Sequence, residues 1–486
     1  MNRWTRHFGP FALVGLVCLV MFMQFFQRSL LGRTLLAAPE EERAVELSEP
    51  PGLGPVTLAA KLMVREKYLQ LGTEDAPKHD GGEEVQKELD ELSREAITRP
   101  ERLRLGILTA EMVGAQASLD TFRGLAAEAT PEGEFARDAK ALLNFYEAHA
   151  LADAALSGEA KPEAAPVRPV LDGQVYDGLR ARHSWFATLA ATYGKGGYDP
   201  QRDWLVRGSH SLIGFFLLRG VLYLGFFVLG VIFLIMTIKK AREEGFVPEF
   251  YTTSIPGEVY LETVIVFFLS FAMMLGVSVV LLGQSDAWAV MVSEVLQWSL
   301  VLSFLWPMMR GVTFGELALD LGLESGQGVG AEIMIGIAGF MVTRPIESVV
   351  GIAAAALEEA LFGVAKDPGG VAMFRQPLTE SWWPFIFGAL GAVVWAPFIE
   401  ECIFRGALHR WLPAKLGPVL RVLISSALFG AAHPYGLAGM LSVAAGGVVF
   451  GALREWRGSL IAPMTAHFLN NATIVGSQLA LLKIIE

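Results

Sequence analysis

The chain has 486 residues, 53% of them hydrophobic, with a mean hydropathy of +0.43 and a formal net charge of −11. That composition is too apolar for a water-soluble protein of this size and points to a polytopic membrane protein, with no basic surface for nucleic acid. Two cysteines, Cys18 and Cys402, both in apolar runs, exclude a disulfide framework or a thiolate metal cluster on count alone.

In chain order, the first apolar run is Phe8–Phe26, flanked by Arg3 and Arg6 before it and Arg28 and Arg33 after it. It reads as an uncleaved anchor within residues 1–38, because Pro39 in "LLAAPEE" spoils the site at which a secretory signal would be cut. Residues 39–205 read as a soluble acidic α-helical domain. "ERLRLGILTAEMVGAQ" and "EFARDAKALLNFYEAHALADAAL" space apolar residues by three and four, and Gly81-Gly82, Pro131 and "KPEAAPVRP" interrupt the pattern. Residues 40–200 hold 29 acidic and 18 basic residues, so the negative charge of the whole chain belongs to this insert. It reads as a spacer or docking domain without chemistry of its own.

The hydrophobic half supplies spans at about 211–238, 259–283, 287–309, 331–362, 383–412, 419–434, 437–454 and 459–483, each near the roughly 20 residues a bilayer core requires. With the first helix the expectation is an all-α bundle of about nine spans. Residues 206–382 read as accessory helices and 383–486 as a core that holds the buried charges. Arg344-Pro345 leaves 331–362 readable as one kinked span or two short ones. Basic residues at "KKAR" (239–242), Arg310, Arg410, Lys415, Arg421 and "REWR" (454–457) all fall on one face of a nine-span chain. That face is expected to be cytoplasmic, with the N-terminus inside and residues 39–205 outside.

Ionisable groups at membrane depth cost at least ~2.5–3.5 kcal/mol each, so each one requires a reason. In "APFIEECIFRGALHR" (396–410), Glu401 and Arg405 are four apart and can pair, while Glu400 lies about 100° round an ideal helix and needs another role. A carboxyl in apolar surroundings suits general acid–base work near neutral pH. "SALFGAAHPYG" (426–436) carries His433 four residues after Phe429, and "APMTAHFLNNATIVG" (462–476) places His467 and Asn471 four apart. At 1.5 Å per residue, Glu400, His433 and His467 reach similar depths, roughly 13–22 Å from loops on the same face. Imidazole and carboxamide donors of this kind can hold an oxyanion, although polar contacts between helices would show the same residues.

Glu400-Glu401-x-x-x-Arg405, then Phe429-x-x-x-His433, then His467-x-x-x-Asn471 resembles, in order, the motif set of the CPBP intramembrane endopeptidases, the CAAX-protease and bacteriocin-processing (Abi) family. The resemblance covers roughly residues 383–484. It implies glutamate-dependent peptide hydrolysis in the membrane, with Glu400 activating a water and His433 holding or polarising it. His467 and Asn471 would stabilise the oxyanion, and Glu401 and Arg405 would fix the helix geometry. No cofactor is expected. A zinc site of glutamate and two histidines is the alternative, without a His-Glu-x-x-His helix to support it. The expected partners are the lipid bilayer and a membrane-associated protein or peptide substrate. The expected place is a bacterial inner membrane or its equivalent, as a multi-pass protein. The rival readings are a non-catalytic binding or immunity protein of the same fold and a proton-coupled transporter.

Other polar groups carry plainer readings. Glu358-Glu359 imitates the first motif but has Gly363 where arginine should stand, and reads as a span end. Arg344 and Glu347 are spaced to pair, Arg219, Glu262 and Glu294 read as interface or water-path residues, and 313–325 reads as an amphipathic surface segment.

Overall fold

The computed structural model describes residues 8–24, 55–70, 82–96, 99–128, 133–156, 169–195, 199–244, 253–281, 292, 295–362, 382–412, 416–433 and 435–485. No β-strand occurs among them. Two compact units emerge: Met1–Thr34 with Arg219–Gln478, and Leu35–Leu218 with Leu479–Glu486.

The second unit is built from α2 (Pro55–Gln70), α3 (Glu83–Glu95), α4 (Arg99–Val113), α5 (Ala115–Glu128), α6 (Glu134–Leu156), α7 (Gly173–His183) and α8 (Trp185–Ala191). Their apolar stripes close on one core around Leu103, Ile107, Leu108, Phe122, Leu142, Tyr146 and Phe186. Gly106 admits Phe122, whose ring tip would stand 2.9 Å from a Cβ at that position. Asp172 caps α7 by accepting the Gln174 N–H at 2.9 Å. Buried charges are paired: Arg182 grips Asp138 at 2.7 and 2.6 Å, His183 Nε2 stands 3.2 Å from the same carboxylate, and Arg202 binds Glu111 at 3.2 and 3.1 Å. Burial raises Asp138, but hydrogen bonds from His183 and Arg182 outweigh it and hold the carboxyl below its ordinary range. Burial also pushes His183 below the usual imidazole value.

The first unit is a membrane helix bundle. It contains α1 (Phe8–Gln24) and the later part of α9 (Pro200–Glu244), then α10 (Gly257–Leu281), α11 (Val295–Met309) and α12 (Phe314–Leu321). After these come α13 (Val329–Phe362), α14 (382–411), α15 (Gly417–Ala431), α16 (Leu437–Arg457) and most of α17 (Ile461–Ile485). Among the described residues five segments are long and apolar enough to span a bilayer: Ser211–Lys240, Gly257–Val277, Val329–Glu358, Ile386–Trp411 and Leu437–Arg457. Phe8–Gln24, Val295–Met309 and Gly417–Ala431 are shorter apolar helices. All nine expected segments therefore contain helix, although fewer than nine meet the length and hydropathy of a full span. The protein is an all-α, multi-pass integral membrane protein.

The span expected at 211–238 lies within α9, whose apolar stretch is Ser211–Lys240. The helix itself begins earlier, at Pro200, because Asp199 accepts the Gln201 N–H at 2.8 Å and proline suits a first helical turn. The 331–362 run is one helix with Pro345 inside it. Proline leaves the Met341 carbonyl without its intrahelical donor. Gly230 of α9 packs onto that spot: a Cβ there would overlap Met341 O and stand 2.9 Å from the proline ring.

Glycines also set how the remaining helices approach. α13 runs antiparallel to α16, with Gly339 against Leu453, Glu347 against Gly446 and Glu358 against Gly436. α15 runs antiparallel to α16 through Gly430 against Ala444 and Gly451 against Val422. Ion pairs collect where α14 and α16 end and α15 begins: Arg421–Glu455 at 2.6 Å, Arg457–Glu332 at 2.7 Å and Arg410–Asp320 at 3.2 Å. Arg410, Arg421 and Arg457, three of the basic residues that the sequence placed on one face, take part in these pairs.

Candidate active site

α14 is not a uniform helix. Its turns widen to π geometry at Gly391–Trp395 and again at Cys402–Leu408, on either side of the α-helical Ala396–Glu401. Such turns need their displaced carbonyls answered. In the first, Ala396 N–H reaches back to Gly391 O, and the next residue, Pro397, has no N–H for Ala392 O. Asn471 supplies it, donating from Nδ2 at 2.8 Å. In the second, Ser425 donates to Phe404 O at 3.2 Å and Arg454 Nε to Arg405 O at 3.0 Å. Three neighbouring helices therefore hold the segment that presents Glu400 and Glu401.

Glu401 and Arg405 are completely buried and paired at 3.0 Å. Arg405 also donates to Gly447 O at 3.0 Å and lies over the Phe429 ring at 4.3 Å. The Gly446-Gly447 doublet of α16 makes this possible. A Cβ on Gly447 would stand 2.8 Å from Arg405 Nη2, and one on Gly446 would stand 2.5 Å from Glu347 Oε1. Glu347 in turn pairs with Arg344 at 2.7 Å, and Arg344 donates to Asn470 of α17.

His467 joins the two adjacent acids. Its Nδ1 is 2.9 Å from Glu401 Oε1, and its Nε2 is 3.7 Å from Glu400 Oε2. The ring stacks on Phe450 at 5.0 Å and meets the edge of Phe429 at 5.6 Å. A carboxylate only accepts, so Nδ1 carries a proton and Nε2 is the atom turned toward Glu400. Glu400 Oε2 is a buried atom without a hydrogen-bond partner. His433 also packs on Phe429, with ring centroids 4.8 Å apart, and its Nδ1 is 2.7 Å from Phe429 O. That carbonyl fixes the His433 tautomer and leaves Nε2 as an acceptor.

Of the residues picked out from sequence, Glu400, Glu401, Arg405 and His467 meet directly, and His433 joins them through Phe429. Asn471 lies on the same helix as His467, but its shown bond is to the α14 backbone. Sequence reasoning missed Ser425, Arg454 and the glycine doublet. Glu262 accepts from Trp306 Nε1 and Arg310 at 3.1 and 3.0 Å, as an interface residue would, whereas Glu294 lies outside the described residues. No group of three or more His, Cys, Asp or Glu side chains is arranged to hold a metal ion among the described residues.

Residues 381–473 match the family model described as type II CAAX prenyl endopeptidase Rce1-like. The segment is Rce1-like. This agrees with the resemblance read from the three motifs, all of which lie inside the Rce1-like segment. α1 to α13 lie outside it. No curated protein and no solved structure matches the chain.

Proposed function

We propose that the chain is an intramembrane endopeptidase that cleaves a membrane-associated protein or peptide by a glutamate-activated water. The observation that carries this reading is Glu400. It is a carboxylate inside an apolar bundle, with an unpartnered buried oxygen 3.7 Å from His467 Nε2, within a segment that is Rce1-like.

In the reaction Glu400 takes a proton from the water, the resulting hydroxide attacks the scissile carbonyl carbon, and the proton passes to the departing amine nitrogen. His433 Nε2 accepts the water's second hydrogen and orients it. His467 Nε2 and the second Asn471 amide hydrogen face the oxyanion; donation from Nε2 requires the ring to carry its second proton. Glu401 and Arg405 hold the geometry without touching substrate. The shared basic end faces the cytoplasm, and residues 39–205 are extracytoplasmic.

The test is Glu400→Gln in the full chain, assayed on a farnesylated CAAX peptide and by comparative membrane proteomics. Cleavage should be abolished while insertion and thermal stability stay at wild-type values, and uncleaved precursors should accumulate. Wild-type turnover by Glu400→Gln rejects the mechanism.

A further inference from the structure

His433 stands between two helix ends. α15 stops at Ala431 and α16 starts at Leu437, so the carbonyls of one and the N–H groups of the other lack intrahelical partners. Among the described residues the backbone bonds of this turn include Ala432 N–H to Leu428 O at 3.0 Å, His433 N–H to Gly430 O at 3.1 Å and Tyr435 N–H to His433 O at 2.9 Å. General acid–base work needs a closely placed imidazole, so whatever anchors the two ends of this turn bears on His433.

Two side chains from elsewhere grip it. Gln24, at the end of α1 and 5% exposed, donates from Nε2 to Ala432 O at 2.9 Å. Glu358, near the end of α13 and 4% exposed, accepts the Ala438 N–H on Oε2 at 2.9 Å. The carboxylate sits at the positive end of α16, where a negative charge is favoured. Gly436 leaves the room it occupies: a Cβ there would stand 2.7 Å from Glu358 Oε1. The antiparallel register of α13 on α16 brings Glu358 to this place. Both residues lie outside the Rce1-like segment.

We infer that Gln24 and Glu358 are positioning residues that clamp the turn on either side of His433 and so set its ring against Glu400. The catalytic part of this statement rests on the proposed peptidase function, whereas the clamp does not. Glu358 thereby acquires a role that its imitation of the Glu-Glu motif did not suggest. It works from the backbone of the neighbouring helix rather than on substrate.

The experiment uses the full chain in lipid nanodiscs, as wild type, Glu358→Ala, Glu358→Gln and Gln24→Met. Hydrogen exchange across residues 430–440, the ring Cε1 resonance of His433 in ¹³C-histidine protein, and kcat and KM on a farnesylated CAAX peptide are read together. Glu358→Ala should speed exchange at 436–440 by about tenfold, as expected for loss of a helix cap. It should also shift the His433 resonance and lower kcat about tenfold with KM within about twofold. Glu358→Gln keeps an accepting oxygen and should restore all three. Gln24→Met should loosen the 430–433 side and supports the clamp independently if Glu358→Ala fails to fold. Unchanged exchange in Glu358→Ala, or faster exchange with an unmoved His433 resonance and kcat, overturns the inference. So does a Glu358→Gln protein as impaired as the alanine variant. If the wild type leaves the peptide intact and no precursor accumulates in Glu400→Gln membranes, that counts against the peptidase reading, and the exchange and resonance data still decide the clamp.

Discussion

Replacing Arg405 with alanine separates the fold-holding charges of the site from the chemical one. The guanidinium is completely buried, 3.0 Å from Glu401 and from Gly447 O, with Phe429 over its face at 4.3 Å. Its removal leaves Glu401 buried with only the His467 bond at 2.9 Å, and opens a void against Phe429. Breaking a buried pair from one side costs about 3–5 kcal/mol, because the surviving charge stays out of water. For a unit of this size that lowers the melting temperature by roughly 6–15 °C. Cys402 provides the assay. It is buried beside Glu401, whereas the second cysteine, Cys18, is exposed. In a Cys18→Ser background a thiol-reactive dye therefore labels Cys402 only as the bundle opens. Labelling of Arg405→Ala should begin at the lower temperature. The double variant Glu401→Gln with Arg405→Met, which leaves no lone charge, should recover most of the loss. If Arg405→Ala labels at the parent temperature while activity disappears, the pair is not structural and its placement beside the chemistry is wrong.

Gly447→Ala should destabilise by about 1–3 kcal/mol through overpacking against Arg405 and Phe429, read in the same dye assay. Gly446→Ala should cost less, since its Cβ meets the movable end of Glu347, and equal losses from the two would contradict that difference. In the unit of α2 to α8, both His183 and Asp138 titrate below their ordinary values when folded. Their stabilisation is present above the unfolded values and lost as pH falls, for His183 below about 6.5 and for Asp138 below about 3.9. Calorimetry from pH 7 to 5 should show the melting of this unit fall, and His183→Gln should flatten that dependence.

Hydropathy and spacing made much of the bundle legible. Lipid demands long apolar helices, and charges within them stand out. The pairing of Glu401 with Arg405 followed from a four-residue spacing, and the meeting of Glu400 with His467 followed from depth. The π turns were not legible, because Pro397 reads equally well as an ordinary helix start, and its missing N–H shows only when Asn471 is seen to answer Ala392 O. Nor was Gln24: a single glutamine ending an apolar run carries no signal until Ala432 O is found beside it. The Gly446-Gly447 doublet was visible in the sequence. Its meaning depends on two charged side chains arriving from separate helices, which no local pattern encodes.

The widened turns of α14 make the length of the chain between residues 391 and 408 part of the site's geometry. A π turn is an α turn with one residue too many. Deleting a residue from either would let the helix tighten and swing everything beyond it by about 100° about its axis. A deletion in the first would turn Glu400 and Glu401 toward lipid or a neighbouring backbone. A change in the length of this stretch would therefore disturb the site even with both acids and Arg405 retained.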